Sequence, residues 1–312
     1  MRITLSTAVL IFMSVSSVNR ALSSSIPGIY WTEMATGTIR RAELDGSHVQ
    51  DVVTGLTNPR GIAIDAVNQK IYWTEYGSSF GAGKIERANL DGSGVQDVLT
   101  NLGEPEGIFV DPAAHQITYT DRAPGAIWRA NTDGTGATAV VPGQANPLSA
   151  LVNVATGQLY WTDDSQFSVS TAHADGSQVL HLASGTSGAF GLALDSTVGR
   201  LYYTDYLTHD VRQVNVNGTN PGIILGTPGA EPYGLALDSV NGRLVWAEFN
   251  TNKIRVGNID GSGVHDLIST GANPVGIAFG VVPEPSSLML ALSAFAGVAL
   301  VLWRRFLAER TN

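Results

Sequence analysis

Tyr160-Trp161-Thr162-Asp163 is one of six copies of a single pattern, and its spacing decides the fold. The others are Tyr30-Trp31-Thr32-Glu33, Tyr72-Trp73-Thr74-Glu75, Thr118-Tyr119-Thr120-Asp121, Tyr202-Tyr203-Thr204-Asp205 and Val245-Trp246-Ala247-Glu248. Successive copies lie 42, 46, 42, 42 and 43 residues apart. An Asx-Gly pair follows the acidic residue by 12 positions at Asp45, Asp133, Asp175, Asn217 and Asp260, and by 16 at Asp91. The second unit therefore carries a four-residue insertion within residues 76–83. A third marker, Asn58-Pro59-Arg60-Gly61-Ile62-Ala63-Ile64-Asp65, is echoed at 104–111, 146–153, 188–195, 231–238 and 273–280. Three markers in register six times define a repeat protein.

Each unit holds four short strand patterns, which in the second are 61–65, 70–75, 84–90 and 95–100. The Asx-Gly pair between the third and fourth predicts a type I′ hairpin, whose central residues both take positive φ. Strands of five to seven residues at a period near 42 predict blades of four antiparallel strands. No repeat sustains a 3.6-residue period, which excludes a helical solenoid. The expectation is an all-β, six-bladed propeller. The chain enters at a second-strand tetrad and leaves the repeats on a first-strand motif, Pro274-Val275-Gly276-Ile277-Ala278-Phe279. That last segment is expected to complete the first blade and close the ring, which removes exposed sheet edges.

Side chains alternate across a strand, so Tyr160 and Thr162 should face one neighbouring blade while Trp161 and Asp163 face the other. The framework residues are then Trp31, Trp73, Tyr119, Trp161, Tyr203 and Trp246, with Glu33, Glu75, Asp121, Asp163, Asp205 and Glu248 as acceptors for nearby backbone amides. Truncating such a packed Trp typically costs about 3–5 kcal/mol, and a charged acceptor contributes about 1.5–3 kcal/mol. Six acids held apart by the ring read as ties between blades, not as a metal site.

These tetrads resemble the low-density-lipoprotein-receptor class B, or YWTD, repeat family, over Gly28 to Gly280. The resemblance implies a six-bladed propeller that binds ligands and does not catalyse. In animals such domains sit in lipoprotein receptors and Wnt co-receptors beside cysteine-rich modules; this chain has no cysteine, hence no such modules.

Strand one begins and strand two ends on the same face of the disc. Around the mouth of that face the sequence places Asn58, Arg60, Glu104, Glu106, Asn146, Leu148, Phe190, Glu231, Tyr233, Asn273 and Val275. Met34, Tyr76, Phe80, Arg122, Asp164, Tyr206, His209 and Phe249 are placed farther out. Acids, an arginine and aromatics suit a protein or polysaccharide ligand, including a peptide with Lys, Arg or Asn. One alternative is a lactonase-like hydrolase, since gluconolactonase-type propellers hold a divalent cation at the mouth. Glu104, Asn146, Glu231 and Asn273 offer oxygen donors for calcium. The six histidines are scattered, and neither His-Glu-x-x-His nor Gly-x-Ser-x-Gly occurs. The expectation is therefore no enzyme and no cofactor. A ligand-free matrix scaffold is the other alternative.

The ends read as addresses. Residues 1–25 have the n-region and apolar h-region of a signal peptide. Residues 282–312 carry Pro283-Glu284-Pro285, the uncharged stretch Leu288–Trp303 and Arg304-Arg305. This tail resembles the PEP-CTERM sorting signal of Gram-negative bacteria that build exopolysaccharide. It implies one transmembrane-type helix, transient anchoring in the inner membrane and processing by an exosortase-type enzyme. The domains are thus 1–25 leader, 26–281 propeller and 282–312 sorting signal, in a protein of the cell surface or matrix.

The chain of 312 residues has 44% hydrophobic and 14% charged residues and a net charge of -9. Setting aside the charged residues of the two ends leaves 13 basic against 25 acidic residues. A surface of that sign repels phosphate, so no nucleic-acid partner is expected.

Overall fold

The computed structural model describes residues 28–280, in which 24 strands form six four-stranded antiparallel sheets. The expected leader, the Pro-Glu-Pro tail and the C-terminal helix lie outside the described residues. Blades two to six span residues 59–102, 105–142, 147–184, 189–226 and 232–269. Blade one joins the strands Gly28–Glu33, Thr38–Glu43 and Gln50–Thr54 to an inner strand from the far end of the repeats, Pro274–Gly280. Gly28 pairs with Gly280 and Ile29 with Phe279, so the ring closes as the repeat phase requires.

The tetrads form the second strand of every blade and are buried throughout. Trp161 packs with Ile127 and Val141 of the preceding blade, whereas Tyr160 packs with Leu201 and Tyr203 of the following one. Adjacent aromatic residues therefore serve opposite faces of one sheet, as a blade covered on both sides demands.

The acidic residues take two kinds of partner, and Glu75 takes both, since Trp73 Nε1 also donates to it at 3.2 Å. Asp121 accepts from the amides of Gly103 and Glu104, and Asp163 from those of Ala145 and Asn146. Asp205 accepts from Ser187, and Glu75 from Thr57. These amides belong to the segments that cross from one blade to the next, so each bond ties two blades. Glu33 and Glu248 depart from the expected backbone role. A glutamate is one methylene longer and reaches its own tetrad's indole: Trp31 Nε1 donates to Glu33 at 3.0 Å and Trp246 Nε1 to Glu248 at 3.1 Å. Arg40 and Arg255 flank these carboxylates at 3.5 and 3.4 Å. Trp161 sits two residues before the shorter Asp163, and its indole turns to Gln144 Oε1 at 3.0 Å instead.

The Asx-Gly hairpins are not type I′. Positive φ occurs at Gly46, Gly92, Gly134, Gly176, Gly218 and Gly261 but not at the Asx before each. In blade two Gly92 N–H donates to Asn89 O and Asn89 N–H to Ser93 O, and all six tips repeat this pair of bonds. That is a three-residue loop, a type I turn closed by a left-handed glycine. The Asx side chain selects it by accepting from the amide two residues on, as in Ser93 N–H to Asp91 Oδ1 at 2.9 Å. Each tip also seats on the outer strand of the preceding blade. A Cβ on Gly92 would strike the Val52 carbonyl oxygen, and one on Gly134 that of Val98.

Candidate functional site

The inner strands carry a shared irregularity that builds the mouth. Pairing slips between Pro59 and Ile62, Pro105 and Ile108, Pro147 and Ala150, Ala189 and Leu192, and Pro232 and Leu235. Such a bulge interrupts the ladder and re-aims a side chain. The residues within it are Arg60, Glu106, Leu148, Phe190 and Tyr233, with Val275 at the equivalent place in blade one. The amide freed by the bulge is recovered by the tetrad threonine. Gly61 N–H donates to Thr74 Oγ1 at 2.9 Å, and Thr74 Oγ1 donates in turn to Glu106 O of the next blade at 2.7 Å. Thr32, Thr120, Thr162 and Thr204 make the same relay, and Ala247 breaks it in blade six. Small residues are required beside these carbonyls, since a Cβ on Gly61 would strike Glu106 O and one on Gly276 would strike Arg60 O.

The mouth opens on a central cavity of about 340 Å³ lined by all six inner strands. Arg60, Glu106, Leu148, Phe190 and Val275 line it as the sequence placed them. Tyr233 stands behind Phe190, its ring stacked at 4.5 Å. Asn58, Glu104, Asn146, Glu231 and Asn273 sit two residues earlier in each motif, before the proline. Their carbonyls fasten the loop after each tetrad: Asn58 O accepts from Tyr76, Glu104 O from Arg122, Asn146 O from Asp164, Glu231 O from Phe249 and Asn273 O from Met34. Asn58 and Asn273 also hold left-handed backbone at φ 54° and 32°, a conformation asparagine tolerates.

Of the residues placed farther out, Tyr76, Arg122, Asp164, Tyr206 and Phe249 reach inward, and they organise the mouth into two arcs. On the polar arc Tyr76 OH donates to Glu106 Oε2 and accepts from Arg122. Arg122 lies 3.6 Å from Glu106 and also donates to Asn146 Oδ1, whose amide nitrogen donates to Asp164 at 3.2 Å. The Arg60 guanidinium covers the Tyr76 ring at 4.2 Å, a stacking that guanidinium planes favour. Burial and the neighbouring Glu106 carboxylate push the Tyr76 phenol well above its usual range. Burial opposes the charge on Arg122, but Tyr76, Glu106 and Glu104 outweigh it and its pKa is raised. Glu106 is only 2% exposed, and its Oε1 and the Nε of Arg60 are buried without a partner.

The second arc is aromatic. Phe190, Tyr233 and Phe249 form a pile with centroid spacings of 4.5 and 4.8 Å. Tyr206 meets Tyr233 edge-on at 5.4 Å and donates to Asp164 at 3.3 Å, which joins the arcs. Burial and then Glu231 push the Tyr233 phenol up to about 12. The sequence reading missed the inward reach of Tyr76, Arg122, Tyr206 and Phe249. The available signal was their position directly after the tetrad acid, where strand two ends beside the bulge. Phe80, in contrast, stands out in the inserted loop, 77% exposed.

Two of the four calcium donors already serve protein partners. Asn146 Oδ1 already accepts from Arg122, and Asn273 donates to Phe249 O. Two guanidiniums at the opening oppose a divalent cation. Among the described residues no group of three His, Cys, Asp or Glu could hold a metal ion. The mouth therefore does not fit the calcium cradle of a lactonase-like site.

The fold and the six tetrads define a six-bladed β-propeller whose second strands carry one repeated aromatic-Thr-acidic pattern. Residues 28–66 match the family model described as low-density lipoprotein receptor repeat class B. Mouse nidogen-2 is 43% identical over 51 residues, 16% of this chain and 4% of that protein. A human low-density lipoprotein receptor-related protein 5-like protein is 41% identical over 51 residues, 16% of this chain and 20% of that protein. Aedes aegypti protein cueball is 39% identical over 56 residues, 17% and 8% of the two chains. The matches thus span a fifth or less of these relatives. Among solved structures, a nidogen/laminin complex superposes with a TM-score of 0.73 at 23% identity, covering 82% of this chain and 99% of that one. A gluconolactonase from Xanthomonas campestris gives 0.59 at 19% identity, covering 70% and 78%. Both show the propeller fold.

Proposed function

We propose that the chain is an exported binding module of the cell surface or extracellular matrix that takes a protein or polysaccharide ligand on its mouth. The observation that carries this reading is the bulge ring. Its backbone is common to the six blades, yet its side chains differ at every blade and leave two buried polar atoms unpartnered. A framework need would repeat with the framework. Variation at one concave opening, with aromatic anchors and an arginine, has the composition of an interface centre. The nidogen of the solved neighbour is in complex with laminin, which supports a protein-binding use of this architecture. Residues 1–25 direct export, and the tail from Pro283 holds the chain in the inner membrane until an exosortase-type enzyme processes it.

The test is capture of cell-surface and matrix material by the immobilised full chain, native and Phe190→Ala/Tyr233→Ala. Saturable capture by the native chain is expected, weakened at least about tenfold, or about 1.4 kcal/mol, in the variant. Val240→Ser changes a side chain 87% exposed in a loop between first and second strands, on the face opposite the mouth. It should bind as the native chain does. Capture that survives the double variant, or no saturable capture at all, overturns the reading, and the second result favours a scaffold.

A further inference from the structure

We propose that the mouth receives one neutral sugar ring of a polysaccharide; this rests on the binding-module reading and names its ligand. The charges at the opening set the first condition. Glu106 stands between Arg122, 3.6 Å away, and Arg60, whose guanidinium lies on the Tyr76 ring that hydrogen-bonds Glu106. A cationic ligand group entering beside Glu106 meets two guanidiniums. An anionic group meets the Glu106 carboxylate, with Asp164 and Glu104 close behind. Opposed charges at this spacing penalise either ion in a partly buried site.

The orphaned atoms set the second condition. Glu106 Oε1 can only accept and Arg60 Nε can only donate, and each is buried without a partner. An uncharged ligand that brings a donor and an acceptor together, as hydroxyl groups do, would answer both atoms. The third condition is the aromatic arc. Phe190 lines the same cavity and is backed by Tyr233 and Phe249 in a rigid pile. A ring face of this kind suits a flat apolar surface. A pyranose offers a face of C–H groups ringed by hydroxyls, and about 340 Å³ is ample for one such ring. An amide side chain meets the first two conditions but leaves the aromatic pile without a partner.

The experiment is saturation-transfer NMR and calorimetry on the purified full chain. The probes are the methyl glycosides of glucose, galactose, mannose and N-acetylglucosamine, with glucuronic acid and glucosamine as charged counterparts. At least one neutral glycoside should bind saturably in the millimolar range, with affinity unchanged between about 50 and 500 mM salt. Phe190→Ala and Glu106→Gln should each weaken it at least about tenfold. Phe190→Leu, which keeps a branched apolar side chain and removes the ring, serves if the alanine variant does not fold. Val240→Ser should leave binding intact. Failure of all four glycosides, survival of binding in both Phe190 variants, or tighter binding of a charged sugar overturns the proposal. An asparagine-bearing hexapeptide separates the two levels. If it binds through Phe190 while no glycoside does, the module stands and its ligand class changes. If the mouth variants alter neither sugar, peptide nor surface capture, the binding reading falls as well.

Discussion

Thr32, Thr74, Thr120, Thr162 and Thr204 each take an amide from the bulge of their own blade and hand a proton to the bulge carbonyl of the next. Five blade seams are stitched this way at the rim of the mouth. The sixth, between blade six and the ring-closing blade, has Ala247 opposite Ile254, fully buried and without a hydroxyl to offer Gly234 or Val275. Thr32 and Thr74 occupy the same register opposite Ile39 and Ile85, so a threonine fits beside an isoleucine there. Ala247→Thr should therefore stabilise the propeller. Two new hydrogen bonds less the cost of ordering the side chain give a net gain of about 1 kcal/mol, or about 2–4 °C in a thermal melt of the full chain. An unchanged or lower midpoint would show that the seam is already satisfied another way. The tetrad made the threonine's direction legible, since alternation puts Thr162 on the face toward the next blade. Its task was not legible, because both its partners are backbone groups and leave no mark on the side-chain pattern.

At the scale of the hairpin, Asp91-Gly92 showed where the third and fourth strands meet but not which turn joins them. Asp-Gly serves a two-residue mirror-image turn or a three-residue turn ending on the glycine. The choice rests on Ser93, whose amide and hydroxyl both bind Asp91 Oδ1 and hold it in ordinary right-handed backbone. Those same bonds lower the Asp91 pKa, the hydroxyl contributing most. The tip has a second duty that no local pattern reveals, which is docking on the preceding blade. Gly92 and Gly143 separate the two demands. Both have left-handed φ, at 84° and 74°. A Cβ at Gly143 meets nothing within 4 Å, whereas one at Gly92 strikes Val52 O. Gly143→Ala should cost only the backbone strain, about 1–2 kcal/mol. Gly92→Ala should cost that and a displaced blade contact, so its denaturant midpoint should fall clearly further. Equal losses would mean that the tips do not bear on their neighbours.

For the whole molecule, the phase of the repeats made closure legible before any contact was known, whereas the composition of the mouth was only half legible. Position in the motif put Glu106 and Phe190 at the rim. That Tyr76 and Arg122 would arch inward to meet Glu106 depends on the side-chain reach of two different blades, which no single repeat encodes. Closure carries the strongest consequence. Residues 274–280 supply the inner strand against which Ile29 and Trp31 pair, and Ile277 packs in one cluster with both. Arg60 O also lies against Gly276 across the next seam. Burial of Val275 and Ile277 alone contributes about 1.5–3 kcal/mol each. Loss of this strand, five of whose residues pair with Gly28–Glu33, also leaves Gly28–Glu33 as an unpaired sheet edge in a fold whose total stability is on the order of 5–15 kcal/mol. A chain truncated after residue 282 should melt as the full chain does. One truncated after residue 272 should show no cooperative melt at all and lose the near-ultraviolet signal of its buried tryptophans, in blade four as well as blade one. Residual melting at the native midpoint in the shorter chain would mean that blades two to six stand without a complete first blade, and that the ring is a stack of independent sheets.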